Sequence, residues 1–149
     1  MRIVIQRVKK ASVSINENMV GNINQGLVIL LGIENEDTES DIKWLIQKIL
    51  GLRIFSDAEG KMNLSVSDIF GELLIVSQFT LFASTVKGNR PSFLKSAKPD
   101  ISIPLYEKFL ETIKETSLKI ETGQFGADME VSLINDGPVT IIIDSKTRE

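Results

Sequence analysis

The sequence predicts an α+β domain: a mostly antiparallel sheet with two main helices packed on it. Three observations lead there. Short apolar runs, either alternating with period two or continuous in Leu, Ile and Val, recur at 2–8, 11–15, 27–31, 72–76, 128–133 and 139–143, which is the signature of strands. Two stretches, one after Asp37 and one around Leu105, instead place apolar residues at helical spacing. At 149 residues, 42% apolar and 25% charged, the chain has the composition of one globular domain and buries roughly 68–70% of its unfolded surface. No linker, repeat or low-complexity segment divides residues 1–149, so they are read as a single domain.

In chain order, Arg2 to Val8 is a strand, and Ala11–Ile15 alternates apolar with small polar residues. Asn16-Glu17-Asn18 is a turn leading back through Met19 and Val20 as a hairpin. Gly26 opens the central strand Leu27–Leu31. Asp37-Thr38-Glu39-Ser40-Asp41 supplies capping groups and first-turn acid for a helix. That helix buries Ile42, Leu45, Ile46, Ile49 and Leu50, and Gly51 stops it. Leu52–Phe55 is a short strand and Asp57–Lys61 a turn. Glu72–Val76 is a strand buried on both faces, running into Ser77-Gln78-Phe79-Thr80-Leu81. Lys87–Phe93 is a loop, with Pro91 opening a helical turn and Pro104 opening a second helix that buries Leu105, Phe109 and Ile113. Asp128–Leu133 alternates cleanly, and Val139–Ile143 closes the sheet. So many strands exceed what two helices cover, which leaves a sheet face for self-association.

The absences exclude whole classes of chemistry. Without histidine or cysteine, neither a Ser-His-Asp triad nor a thiol nucleophile can be built. The usual zinc sets of Cys and His are excluded too, so no metal and no cofactor is expected. Gly-Lys-Ser/Thr does not occur, which removes the phosphate-binding loop. The longest apolar run, Leu27–Leu31, is far too short to span a bilayer, and the opening Met1–Arg7 returns to charge too soon for a secretory signal. A cytoplasmic protein with no membrane partner is the expectation.

With a net charge of −3, no global field draws in nucleic acid, and no DNA partner is expected. Positive charge is nevertheless grouped: Lys87, Arg90, Lys95 and Lys98 in one segment, and Arg2, Arg7, Lys9 and Lys10 in another. Such groups are ordinarily solvated surface. An acidic protein with one basic patch is still equipped to grip the end of an RNA.

Two polar stretches interrupt the apolar runs. Ser77-Gln78-Phe79-Thr80 delivers hydroxyls, an amide and an aromatic ring to the end of a buried strand. Asn135-Asp136-Gly137-Pro138-Val139-Thr140 does something similar between two strand-like runs. By chemistry alone, an ordinary strand end and an ordinary turn account for them equally well.

At these residues the chain resembles the D-aminoacyl-tRNA deacylases. Ser77–Leu81 and Asn135–Thr140 look like that family's two signatures. Lys87-Gly88-Asn89-Arg90-Pro91-Ser92-Phe93, Thr122-Gly123-Gln124-Phe125-Gly126-Ala127-Asp128-Met129 and the opening Arg2–Val8 are similar to further family blocks. The likeness covers nearly the whole chain in order. Phe82 stands where many relatives have tyrosine, and Asn89 where a second basic residue is common.

The resemblance implies a homodimer, associating through sheet and loop surfaces, that hydrolyses the ester between a D-amino acid or glycine and the terminal adenosine of a tRNA. It also implies a cis Gly137–Pro138 bond that reaches into the partner's site, binds the substrate ammonium and rejects L-amino acids. Ser77, Gln78, Phe79 and Thr80 become the candidate catalytic residues, and the Phe79 and Thr80 amides the oxyanion donors. Lys87, Arg90, Lys95 and Lys98 become the candidate contacts to the acceptor end. Two nucleophile assignments stay open: Thr80 attacks directly, or the ribose 2′-hydroxyl activates a water. The second is favoured because neither Ser77 nor Gln78 is a base. The competing class is a non-catalytic dimeric module that binds a small ligand.

Overall fold

The computed structural model describes residues 1–148. Its organising strand is β1 (Arg2–Ile15), which makes three antiparallel ladders. The first half pairs with β3 (Gly26–Gly32), and the second half pairs with β2 (Asn18–Ile23) through a turn in which Asn16 and Glu17 have φ of 48° and 66°. Left-handed residues at both central positions match the twist a tight hairpin needs. On its other edge β1 is covered by β8 (Glu130–Asp144).

Beyond β3 the ladders turn parallel: β3 pairs β6 (Glu72–Ser77), which pairs β7 (Ile120–Thr122). Parallel neighbours need long crossovers. Helix α1 (Glu39–Gly51) lies in the first and α2 (Pro99–Ile113) in the second. The α+β class holds, with antiparallel ladders more numerous and the parallel ladders on one side of the sheet, out to β7.

Both helices pack on one face of the sheet. Ile42, Leu45 and Ile49 of α1 and Phe109 and Ile113 of α2 join Ile3, Ile5, Ile29, Leu31 and Ile75 in the larger core. On the opposite face Val28, Leu74 and Val76 meet Val8, Ala11, Val13 and Ile23, so the far halves of β1 and β2 curl over the sheet. The expected open face is therefore largely closed by the chain itself. A strip remains, where Ile142 is 68% exposed opposite Val4.

Several expectations change. The two runs 2–8 and 11–15 form one strand, irregular at Lys9–Lys10. Likewise 128–133 and 139–143 belong to one strand, β8, whose register shifts between Asn135 and Thr140. Gly51 is the last residue of α1 rather than a left-handed stop, and Leu52 beyond it is extended. The strand expected at 52–55 shrinks to β4 (Phe55–Ser56), paired with β5 (Met62–Leu64). Pro91 opens no helix and Pro104 lies inside α2; Pro99 stands in the first turn, where its missing N–H costs nothing. Pro104 is tolerated on the exposed side, where water can reach the carbonyl it leaves unpaired. Among the described residues no helix is long and apolar enough to cross a membrane.

Candidate active site

β6 stops at Ser77, and the chain enters a 3-10 turn over Phe79–Phe82. The expected continuation of the strand through Thr80 does not occur. Gln78 makes the last link to β3, its N–H donating to the Leu31 carbonyl at 2.8 Å. The turn closes by Leu81 N–H to the Gln78 carbonyl (3.3 Å) and Ala83 N–H to the Thr80 carbonyl (3.0 Å). The Phe79 and Thr80 N–H groups have no acceptor among the described residues. The Gln78 side-chain amide donates to the Thr80 hydroxyl.

The position of this turn is set from β1 and β3. Arg2 Nη1 donates to the Leu81 carbonyl at 2.9 Å, and the guanidinium lies 4.9 Å from the Phe82 ring centre. Arg2 is itself held by Asp144, with Nε to Oδ2 at 3.0 Å. Burial pushes the Asp144 carboxyl up, but the Lys146 backbone N–H and Arg2 outweigh it and hold the group below its usual value. Gly32 permits the close approach: a Cβ there would sit 3.1 Å from the Gln78 carbonyl oxygen and 3.1 Å from the Phe82 ring.

Beside the turn opens a cavity of about 570 Å³, walled by Ser77, Gln78, Phe79, Phe93, Lys98 and the segment 125–129. Phe79 and Phe93 meet edge to face, centroids 5.0 Å apart. The lining is mainly apolar with a few polar groups, as expected of a small-molecule site. Its only carboxylate, Asp128, comes from the segment leading into β8. Behind the Phe125 wall, 5.4 Å away ring to ring, lies Tyr106, whose phenol burial pushes up to about 12.

The structure thus brings Ser77, Gln78 and Phe79 together at one cavity. Thr80 is joined to it through Gln78 but does not line it. Gly137 and Pro138 lie apart from that cavity, in β8. There Val8 pairs Asn135 and Gln6 pairs Thr140, so residues 136–139 bulge opposite Arg7 alone. Gly137–Pro138 is cis, and Gly137 has φ of 121°. Asn135 Nδ2 ties the bulge at both ends, donating to the Arg7 carbonyl (3.0 Å) and the Val139 carbonyl (2.9 Å). Arg7 Nε reaches the Asp136 carbonyl at 3.2 Å, and Nη1 the Ile54 carbonyl.

Of the basic residues, Lys87, Arg90, Lys95 and Lys98 are exposed and form no ion pair among the described residues; Lys98 stands at the cavity rim. Arg2 and Arg7, grouped with Lys9 and Lys10 by sequence, are structural instead. Arg7 is only 8% exposed. The sequence signal for it was its inward register: it follows Ile3 and Ile5 at the period of two. In the wall at 125–129 the chemical signal is Asp128, which the sequence offers only as a polar position of an alternating run; Gly126 there has φ of 76°.

A family model described as D-Tyr-tRNA(Tyr) deacylase matches residues 4–144. A D-aminoacyl-tRNA deacylase of Flavobacterium psychrophilum is 59% identical over 150 residues and all of both chains. One of Cytophaga hutchinsonii is 60% identical over 147 residues and 98% of each. Among solved structures, the c-Myc DNA Unwinding Element Binding Protein superposes with a TM-score of 0.91 at 41% identity, over 97% of this chain and 98% of that one. A probable eukaryotic D-amino acid tRNA deacylase shares the fold, with a TM-score of 0.81 at 17% identity over 95% and 97% of the two chains.

Proposed function

This chain belongs to the D-aminoacyl-tRNA deacylase family and is an ester hydrolase, and on that premise we propose that it cleaves D-aminoacyl and glycyl esters of tRNA while sparing L-aminoacyl esters. One observation carries the reading: a strand end that presents two unpartnered amides, Phe79 and Thr80, beside a cavity in a chain with no histidine or cysteine. An ester carbonyl seated there finds donors for its developing oxyanion, each worth about 2.7–4 kcal/mol. Thr80 is poorly placed as the nucleophile. Its hydroxyl receives a hydrogen bond from the Gln78 amide, which is no base. The ribose 2′-hydroxyl therefore orients the attacking water, taking up its proton while passing its own to the departing 3′ oxygen, and Ser77, Gln78 and Thr80 position the reacting end.

The Gly137–Pro138 bulge acts as the chirality filter in the partner's cavity, its backbone carbonyls meeting the substrate ammonium where an L side chain would otherwise lie. Glycine passes because it presents nothing to exclude. That neither Gly137 nor Pro138 lines the cavity of its own subunit, although Val131 of the same strand does, and that the bulge is anchored by Asn135 and Arg7, support this use in trans. The test is a side-by-side deacylation of D-, L- and glycyl-charged tRNA. Equal rates for D and L would remove the filter, and no hydrolysis at all would favour a module that only binds ligand.

Two outcomes follow. Sedimentation at micromolar concentration shows a dimer with no active monomer; an active monomer would mean that the bulge serves its own subunit. The patch Lys87, Arg90, Lys95 and Lys98 engages the acceptor end of the tRNA in the cytoplasm. At about 2–4 phosphates, the patch contributes roughly −1.5 to −3 to the slope of log affinity against log salt. A salt-independent affinity would reduce the patch to ordinary surface. One structural neighbour is named for a DNA element; the net charge of −3 gives this chain no broad field for a duplex, so the patch is assigned to an RNA end.

A further inference from the structure

We infer that Lys9 and Lys10 form a second RNA contact, gripping backbone phosphates of the tRNA whose 3′ end occupies the cavity served by the neighbouring Gly137–Pro138 bulge. The inference rests on the trans reading of that bulge. It starts from an irregularity in β1. Along this strand Lys9 and Lys10 have no ladder partner on either edge among the described residues: pairing with β3 ends at Val8, pairing with β2 begins at Ala11, and β8 skips from Val8 to Ala11.

The spacing shows what the irregularity does. Ile3 and Ile5 lie in the helix-side core, whereas Val8, Ala11 and Val13 lie in the other. Val8 to Ala11 is a step of three where a regular strand would need an even step to return to the same face. One extra residue has been inserted, and such bulges re-aim side chains near functional sites. In a regular strand one of two consecutive lysines would point into a core. Here both are exposed, and neither has a carboxylate within 4 Å among the described residues. By contrast, Arg2 and Arg7 on the same strand are both neutralised, by Asp144 and Asp136.

The location completes the case. On β8, Leu133 pairs Ala11 and Asn135 pairs Val8, so Ile134 alone stands opposite the two lysines, and the 136–139 bulge begins just past Asn135. Two consecutive irregularities on adjacent strands thus set a pair of uncompensated cations beside the element that enters the partner's cavity. A chain whose 3′ terminus sits in that cavity carries its phosphates out past the same edge. Backbone phosphate is the ligand that two lysines without directional partners hold best, because their attraction is one of charge rather than of fixed geometry.

The charge-reversed full-length protein K9E/K10E tests this with uncharged tRNA, by fluorescence anisotropy across a salt series, so that no ester need be cleaved. Loss of two phosphate contacts weakens binding about tenfold at low salt and flattens the log–log salt slope by about 1.4–1.8, and K9R/K10R restores both. In parallel, a D-aminoacyl ester of adenosine, which has no phosphate backbone, is cleaved by K9E/K10E at the wild-type kcat/KM. Unchanged tRNA affinity and slope overturn the inference, as does an equal loss on the small ester, which would mark a structural role. Failure of the wild type to cleave any D-aminoacyl ester would instead defeat the functional reading. The trans placement is read in mixed dimers in which one subunit carries Gly137→Ala, leaving its own cavity, served by the normal bulge, as the active one. Placing K9E/K10E on the subunit with the normal bulge raises KM for charged tRNA, and placing it on the Gly137→Ala subunit does not. The reverse pattern overturns that placement.

Discussion

Gly137→Ala lowers kcat/KM for D-aminoacyl-tRNA by about a hundredfold or more while the protein stays folded and dimeric. The reason is local. Gly137 has φ of 121°, a region that costs an L residue about 1–3 kcal/mol. An added Cβ would also lie 2.9 Å from Arg7 Nη2, 2.9 Å from Val139 Cγ2 and 3.2 Å from the Val139 nitrogen. The Arg7 guanidinium is held by Asp136 and the Ile54 carbonyl, so it has little freedom to withdraw. The bulge moves instead, and a displacement near 1 Å in a positioning element is enough for roughly a 10²-fold loss. Of the bulge residues only Val139 belongs to a core, so thermal unfolding shifts modestly. Steady-state kinetics beside a melting curve separates the two effects. Wild-type kinetics in a folded G137A protein would release the bulge from any part in the reaction.

Charging a tRNA that ends in 2′-deoxyadenosine, with the ester on the 3′ oxygen, produces a substrate that binds normally and is hydrolysed about 10²–10⁴-fold more slowly, the range that a positioned proton-transfer group contributes. Thr80→Ala, by contrast, retains substantial activity under the proposed mechanism, which assigns the oxyanion to the amides of Phe79 and Thr80 and not to the Thr80 hydroxyl. The two results must be weighed unequally. The Thr80 hydroxyl is bonded to Gln78, so its removal loosens a residue at the cavity wall. The substrate change leaves the protein untouched. Cleavage of the deoxy ester at the normal rate, with a trapped acyl-enzyme on Thr80, would reverse the assignment.

The strands and helices were legible wherever periodicity ran unbroken, as in Leu27–Leu31 and Ile42–Ile49. Irregularities were not, because they arise from pairing. Nothing local to Lys9–Lys10 says that β1 changes partners there, and nothing in Asn135–Thr140 says that its two flanking runs are one strand facing a shorter stretch of β1. Prolines misled for a related reason: Pro91, Pro99 and Pro104 all suit a first helical turn, and only Pro99 begins the helix that carries the buried run Ser102, Tyr106, Phe109 and Ile113. The cavity was half visible. Ser77, Gln78 and Phe79 announced themselves as polar and aromatic groups ending an apolar strand. The opposite wall, 125–129, follows the β6–β7 ladder, and its one ionisable group, Asp128, reads in sequence as an ordinary polar position of an alternating strand.

Arg2 and Arg7 give β1 the character of a gauge bar. One arginine holds the turn at Leu81, the other holds the bulge at Asp136, and the five steps from Arg2 to Arg7, with four residues between them, span about 17 Å of extended chain. Neither anchor can slide, because the intervening Ile3 and Ile5 are locked into the core. A single-residue deletion between them would shorten the bar by about 3.3 Å and also rotate one guanidinium to the opposite face of the sheet. No side-chain substitution elsewhere restores both quantities at once. The interval from Arg2 to Arg7 is therefore a stretch in which residue identities can drift within their inward and outward classes while its length cannot change at all.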